Sequence, residues 1–443
     1  MLKSISLENF KSYSAEQILA LGPLNLLIGA NAAGKSNVIE ALRLIKWFIS
    51  GVDLDSIQNK LEESDKWFRG DFHDLVYMCE HIPMTLKMNF DNKVQYSFSI
   101  KIFDNESISL VNEKLTIGKK VIYETIENKD ESKQGFLKVK IKPNTPKGSP
   151  SRSFNFHPKN KMAILPNINN ILNLITENFG NDEKGAFSVD EQILLIDQCL
   201  DDLKSIQFFD FVPSSMRSFS RITPNLNFKG SNLSGVLKNL EMEGKIDQVL
   251  DFIKNLPEQK FVGISFFEDN RERFSVELEE SFGDENSSKK WSIELLSDGT
   301  VRVLAIAAAL MTAKPGSLLV FEELDNGIHP NKAKILLNQI YEYARDNKIK
   351  LLITTHNPAL MDGVPNEALE YVSFAYRDKE KGHSCLTRLS ELDDYVGLVS
   401  QGPLGDLVTK GIVDRFVKNP LSSEDKRTIA LSWLESMKGK HRE

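Results

Sequence analysis

The stretch Gly29-Ala30-Asn31-Ala32-Ala33-Gly34-Lys35-Ser36 constrains this chain more than any other. It satisfies the pattern G-x-x-x-x-G-K-[ST], and it has the flanks that pattern requires. Leu24-Asn25-Leu26-Leu27-Ile28 before it is an apolar run suited to a buried parallel strand, and Asn37 to Ser50 after it is apolar over a helical length. Such a strand-to-helix turn closes successive backbone N–H groups around phosphate oxygens, and the positive end of the helix dipole favours the anion. The spacing therefore predicts a nucleoside triphosphate site in which Lys35 reaches the β- and γ-phosphates and Ser36 holds Mg²⁺. Val38, Ile39, Ala41, Leu42, Leu44, Ile45, Trp47 and Phe48 make the following helix apolar nearly all round, so it belongs in a large core.

Far downstream, Ser317-Leu318-Leu319-Val320-Phe321 reads as a second buried strand that delivers Glu322 and Glu323 at its C-terminal end. Ligands gather at that end of open α/β sheets. Two carboxylates there suit a metal and a water: Glu322 orienting a Mg²⁺-bound water, Glu323 acting as general base toward the γ-phosphate. Lys350-Leu351-Leu352-Ile353-Thr354-Thr355-His356 repeats the pattern, apolar until its tip, and places His356 at the γ-phosphate. Leu296-Ser297-Asp298-Gly299-Thr300, leading into the helical run Val301 to Thr312, is a further small-residue turn at a helix start. Without a lysine or a strand of its own, it reads as a lid for a nucleotide held elsewhere.

In this order the motifs resemble ATPases with an ABC-type head, as in the SMC, RecF and OLD-type families. Glu322-Glu323-Leu324-Asp325-Asn326-Gly327-Ile328-His329-Pro330 and the Leu296 to Thr300 turn with Arg302 look most like the OLD-type and RecF-like branch. The match covers roughly the first 50 residues and positions about 290 to 360. The resemblance implies an α/β fold, a P-loop NTPase with an ABC-type head, an antiparallel β subdomain and a compact helical insertion. It implies a nucleotide-binding set of Gly29, Asn31, Gly34, Lys35, Ser36 and Asn37, with Ser297, Gly299 and Asp325 at a dimer interface. There the Ser297 turn of one subunit would cap the γ-phosphate held by the other, in a homodimer or a higher even oligomer. The glutamine that senses Mg²⁺ in such heads has no match; Asp71-Phe72-His73-Asp74 lies in about the right region without offering one.

Four segments follow from this reading: 1–141 with the phosphate loop and a β meander, 142–255 with a basic loop and helices, 256–370 with the second half of the head, and a tail of strand and helices from 371 to 443. The N-terminal Met1 to Phe10 alternates like an edge strand. Thr85 to Phe90 and Gln95 to Ile100 alternate as meander strands. Gln134 to Lys161 carries Lys138, Lys140, Lys142, Lys147, Arg152, Lys159 and Lys161 with no acidic residue, in a chain of formal net charge -7. That asymmetry reads as a contact to DNA backbone, as a docking surface for an acidic partner, or as a solvated loop around Pro143 to Pro150. Cys79, Cys199 and Cys385 lie far apart, so neither a disulfide framework nor a zinc site is expected and a reduced, cytoplasmic setting fits. No stretch approaches the ~20 apolar residues of a membrane span.

An OLD-type nuclease would carry a Toprim domain after the head; this tail holds Glu391-Leu392-Asp393-Asp394 in a polar stretch and no recognisable nuclease site. Leu404-Gly405-Asp406-Leu407 resembles the tails of stand-alone ATPases of the branch, which act beside a separate effector in defence against phage. The expectation is therefore an ATP-hydrolysing, dimerising subunit that regulates a separate effector of Toprim, HNH or RNase-like type. The alternative is a RecF-like or SMC-like clamp that binds DNA in repair.

Overall fold

The computed structural model describes residues 1–57, 68–70, 73–77, 82–103, 107–126, 135–142, 153–179, 190–254, 260–282, 288–326 and 328–418. Two large sheets dominate. The first is antiparallel and contains β1 (Leu2–Glu8), β2 (Gln17–Ala20), β4 (Met84–Phe90), β5 (Val94–Ile102), β6 (Ile108–Ile117), β7 (Lys120–Ile126), β8 (Lys138–Ile141) and β9 (Phe154–Phe156), in the order β2-β1-β4-β5-β6-β7-β8-β9. The second, the core sheet, runs β10 (Gln207–Phe209), β14 (Leu318–Phe321), β15 (Lys350–Thr354), β3 (Leu24–Gly29), β16 (Val372–Arg377) and β17 (Ser384–Arg388). Its first five strands are parallel, and β17 closes it as an antiparallel hairpin partner of β16. A third sheet of β11 (Phe261–Glu268), β12 (Phe274–Ser281) and β13 (Ser288–Ser292) precedes the Ser297 turn.

The core sheet is buried on both faces, which is why its strands read as continuous apolar runs. Leu27, Leu318, Val320, Leu352 and Ala375 point into one core with the antiparallel sheet and the helix Lys35–Phe48. Leu24, Leu26, Ile28, Leu319, Phe321, Leu351 and Ile353 point into the other, against the helices Leu233–Met242, Ile246–Lys254 and Asp298–Thr312. The phosphate-loop helix is as buried as its composition demands, with Phe48 packed against Phe98 of β5, ring centroids 4.3 Å apart. Fixing a helix between two sheets in this way leaves its N-terminus little freedom to move.

Three readings need correction. β1 is no edge strand: the short β2 covers it on one side and β4 on the other. Its alternation records one face on the core rather than an open edge. The stretch before Ser297 is not free of strand, since β13 ends at Ser292, but it is antiparallel and belongs to the small sheet rather than to the core sheet. The helices of 142–255 are divided between the two cores: Ile168–Phe179 and Asp190–Lys204 pack with the antiparallel sheet, the pair from 233 to 254 with the opposite face, and β10 passes between them as a core-sheet strand. The meander strands lie where alternation placed them.

Of the basic stretch, residues 134, 143–150 and 151–152 lie outside the described residues, Lys147 and Arg152 among them. Lys138 and Lys140 alternate on the half-buried face of β8, and Lys142, just past its end, pairs with Glu124 of β7 at 3.4 Å. Lys161 pairs with Asp55 at 2.7 Å. Part of the positive charge is thus answered within the chain. Cys199 and Cys385 are free thiols, and Cys79 lies outside the described residues. Among the described residues no helix is long and apolar enough to cross a membrane.

Glu113 of β6 ties the antiparallel sheet to the helices that follow it. Fully buried, its carboxylate accepts from the Tyr96 and Tyr123 hydroxyls, both at 2.9 Å, and from the backbone N–H groups of Ile164 (2.8 Å) and Leu165 (2.9 Å), at the start of the turn into the helix Ile168–Phe179. Burial raises its pKa to about 7 in spite of those four donors. The folded state therefore holds this proton more tightly than the unfolded state, so the contribution to stability is full below the unfolded value and is lost as pH rises to about 7. Glu113→Gln is expected to flatten the fall in unfolding free energy, from urea titrations, between pH 4.5 and 7, a fall of the order of 3 kcal/mol in the parent chain. Equal slopes in parent and variant would place the titration elsewhere.

Candidate nucleotide site

Parallel pairing of β10, β14, β15, β3 and β16 brings all five C-terminal ends to one edge of the core sheet, and the 29–36 loop leaves that edge at β3. The two glycines are required by close approach. Gly29 has φ 143° and faces the backbone of β16, where a Cβ would lie 2.1 Å from the Ala375 oxygen. Gly34 has φ 109°, and a Cβ there would lie 2.6 Å from Ser384 Oγ. The Tyr13 hydroxyl donates to the Gly34 carbonyl at 3.1 Å, clamping the loop from the turn between β1 and β2. Ala32 also sits at positive φ, 60°, a conformation that costs a non-glycine residue about 1 kcal/mol or more.

A cleft of about 610 Å³ opens over this loop. Asn31 to Asn37 form its floor; Glu322 and Glu323 enter from the end of β14, Thr354 and His356 from the end of β15. The structure thus brings together Asn31, Gly34, Lys35, Ser36, Asn37, Glu322, Glu323 and His356, as the motifs implied, with Gly29 directly beneath. Ser297, Gly299 and Asp325 do not line it. Ser297 is exposed and caps its own helix, accepting from the Thr300 N–H at 3.2 Å. Arg217 fixes the turn through the Leu296 carbonyl at 2.9 Å and Asp298 at 2.6 Å. Asp325 is buried, and its Oδ1 lacks a hydrogen-bond partner. Of the candidate stretch 71–74, residues 71 and 72 lie outside the described residues, and His73 and Asp74 do not reach the cleft.

Lys35 folds back over the loop, donating to the Gly29 carbonyl at 2.8 Å and the Ala30 carbonyl at 2.9 Å. Burial lowers its pKa to about 8, with Glu323 partly compensating. Burial and the Lys35 charge both lower the pKa of His356, so the imidazole is neutral at pH 7. Glu322 is raised by burial although Arg43 of the phosphate-loop helix pairs with its Oε1; Arg43 is itself sandwiched by Phe208 at 5.4 Å and Phe228 at 5.1 Å. Glu323 has φ 49°, donates its N–H to Thr354 Oγ1 at 3.1 Å, and accepts from Asn326 Nδ2 at 2.6 Å. A strained backbone on a residue aimed into a cleft is a feature of functional sites.

Three charged residues of the cleft have no sequence motif. Asp210 follows β10 and faces the acidic pair; burial and then Glu323 raise its pKa. Arg69 comes from the short stretch 68–70, whose Arg69 N–H donates to Glu40 at 3.2 Å, beside the buried ion pair of Lys11 with Glu40 at 2.6 Å. Arg377 ends β16. Carboxylates that hold protons more tightly than usual are also ones that a divalent cation stabilises, and Asp210, Glu322 and Ser36 share this cleft.

Residues 24–362 match the protein family described as "AAA domain, putative AbiEii toxin, Type IV TA system". A Helicobacter pylori protein named ATP/GTP phosphatase is 21% identical over 405 residues, spanning 89% of this chain and 94% of that protein. Among solved structures, an SMC head bound to the C-winged helix domain of ScpA shares 13% identity at a TM-score of 0.41, covering 87% of this chain and 97% of that one. The SMC head domain from Thermotoga maritima shares 14% identity at 0.36, covering 87% of this chain and 98% of its own.

Proposed function

This chain belongs to that AAA family, and on that premise we propose that it is an ATPase that dimerises around ATP and regulates a separate effector, a nuclease of Toprim, HNH or RNase-like type, in a bacterial defence system. The observation that carries the nucleotide part is the single cleft uniting Lys35, Ser36, Glu323 and His356 from three parallel strands. The name of the Helicobacter pylori relative supports triphosphate hydrolysis, and the family description points to toxin–antitoxin and defence settings.

The chemistry is positional and electrostatic. Backbone N–H groups of the 29–36 loop and the Lys35 ammonium hold the β- and γ-phosphates. Ser36 and Glu322, with Asp210 beside them, would hold Mg²⁺, whose charge offsets that of the phosphate chain. Mg²⁺ needs only one or two protein oxygens beside phosphate and water. No three His, Cys, Asp or Glu side chains among the described residues form a metal-sized cluster. Glu323 accepts the proton of the attacking water, with Asn326 and Thr354 fixing its carboxylate and backbone. Neutral His356 hydrogen-bonds the γ-phosphate.

The Ser297 turn is exposed and outside its own subunit's cleft, which supports its action in trans on the partner's nucleotide, with the buried Asp325 in the turn that would pass along that interface. Ser297→Arg should stop hydrolysis in the pure variant. Mixed with Lys35→Ala chains, it should regain activity, because the mixed dimer keeps one intact composite site. No recovery at any mixing ratio would rule out trans capping. The effector is tested by expressing tagged Glu323→Gln from its native operon, purifying it with ATP and Mg²⁺, and identifying by mass spectrometry what accompanies it. A stoichiometric nuclease supports the regulatory reading; DNA without a protein partner would replace it with a repair clamp.

A further inference from the structure

Arg377 is the one arginine in the described cleft whose place is set by the C-terminal half of the fold, and none of the motifs above uses it. The register of β16 on β3 pairs Ala375 with Gly29, so Arg377 comes out beside the phosphate loop itself. Its Nε donates to the Ala32 carbonyl at 2.9 Å and its Nη1 to the Gly382 carbonyl at 2.9 Å. Gly382 belongs to the β16–β17 turn, which is itself pinned. Asp378 Oδ1 accepts from the N–H groups of Glu380 at 2.9 Å and Lys381 at 2.7 Å, and the Asp378 N–H donates to the His383 carbonyl at 2.8 Å. The guanidinium is therefore a strut between a rigid turn and the strained residue of the loop.

That strut has a consequence for the ligand. A loop that binds an anion through its N–H groups must turn carbonyls the other way. At Ala32, the left-handed residue, the outward carbonyl is the one that Arg377 holds. Two backbone acceptors use Nε and Nη1, and the Nη2 group remains, on an exposed side chain that lines the cleft. Guanidinium N–H groups in a fixed fork match the geometry of phosphate oxygens.

We propose that Arg377 is a phosphate-binding and loop-positioning residue: it holds the 29–36 loop in its anion-binding conformation and donates Nη2 to the phosphate chain of a nucleoside di- or triphosphate. This deepens the ATP-binding reading above and rests on it. It also gives the β16–β17 hairpin a share in nucleotide binding, since the same guanidinium touches loop, turn and ligand.

The test measures MgATP and ADP affinity by calorimetry for the full chain, Lys35→Ala, Arg377→Ala and Arg377→Lys, with the unfolding midpoint of each nucleotide-free protein. Arg377→Ala is expected to weaken both nucleotides by about tenfold or more, the effect of a lost charged hydrogen bond, while leaving the nucleotide-free midpoint within a few degrees. Arg377→Lys should recover only part, because an ammonium restores charge but cannot bridge both carbonyls while reaching the ligand. Added ethylguanidinium should restore affinity to Arg377→Ala and not to Lys35→Ala. Wild-type affinity in Arg377→Ala, with binding lost in Lys35→Ala, would overturn this assignment and leave the nucleotide site intact. Failure of the parent chain to bind nucleotide would instead overturn the function on which it rests.

Discussion

Lys35→Ala should lose ATP binding by about a hundredfold or more, the largest loss of affinity expected from a side chain in this molecule. Each charged hydrogen bond to phosphate contributes roughly 1.5–3 kcal/mol, and an ammonium between two phosphates makes at least two of them. The alanine variant removes the donor from the buried Gly29 carbonyl and the part-buried Ala30 carbonyl, so its nucleotide-free unfolding midpoint is measured beside its affinity, and a folded variant that no longer binds assigns the loss to phosphate contact. Titration calorimetry at pH 7 measures the loss directly. The same residue predicts a pH dependence. With its pKa near 8 in the free protein, Lys35 gives up its proton above that value, and a bound triphosphate draws the proton back. Affinity should therefore decline as pH rises through about 8, with net proton uptake on binding at pH 9. An affinity independent of pH between 7 and 9, or one equal to that of Lys35→Ala, would remove Lys35 from contact with phosphate.

Glu323→Gln should behave in the opposite sense, binding ATP as before while turnover falls by about 10²–10⁴, the usual share of a general base. The amide keeps the size of the carboxylate and still accepts from Asn326, so the φ 49° backbone and the cleft geometry survive. What it loses is the capacity to take a proton. With hydrolysis stopped, the ATP-bound dimer should accumulate, and light scattering with ATP and Mg²⁺ should show twice the mass seen with ADP. Turnover at the parent rate would assign the base to another group, and Asp210 would be the first to examine, since it faces Glu323 with a raised pKa of its own. Loss of ATP binding in the glutamine variant would show that Glu323 holds the nucleotide rather than the water.

The parts of this site that were legible in the sequence are those whose chemistry is written in consecutive residues. Gly29 to Ser36 must be contiguous because one turn of backbone makes the anion site. Glu322, Glu323 and His356 are found because each ends a continuous apolar strand, a pattern that burial on both faces enforces. Asp210, Arg69 and Arg377 carry no such local signature, since each is a single charged residue whose meaning comes from which strand lies beside which. β10 has three residues and follows a helix, so nothing in Gln207-Phe208-Phe209 distinguishes a core-sheet strand from the end of a helical segment. Placing it beside β14 is the act of the fold, and it is what brings Asp210 to the acidic pair. The small sheet escaped for a different reason. Phe261 to Glu268 is apolar without clean alternation, because β11 rests one face only partly on the core and carries a bulge between Phe261 and Gly263. β1 misled through its neighbour, as the four-residue β2 was too short to predict and yet covers it.

The order of the core sheet bears on how the protein is born. β3, which carries the phosphate loop, finds its two lateral partners in β15 and β16, roughly 330 residues or more further along the chain. At the ribosome's pace of about 5–20 residues per second, the loop waits for some tens of seconds before either neighbour emerges. The antiparallel sheet can assemble from the first 156 residues alone, but a nascent chain stopped anywhere short of β15 has its Gly29 to Ser36 segment on an unpaired strand. Nucleotide should therefore bind to nearly finished chains and not to earlier ones, so that emergence of β15 and β16 sets the point at which the phosphate loop can take a ligand, and with it the dimer proposed above.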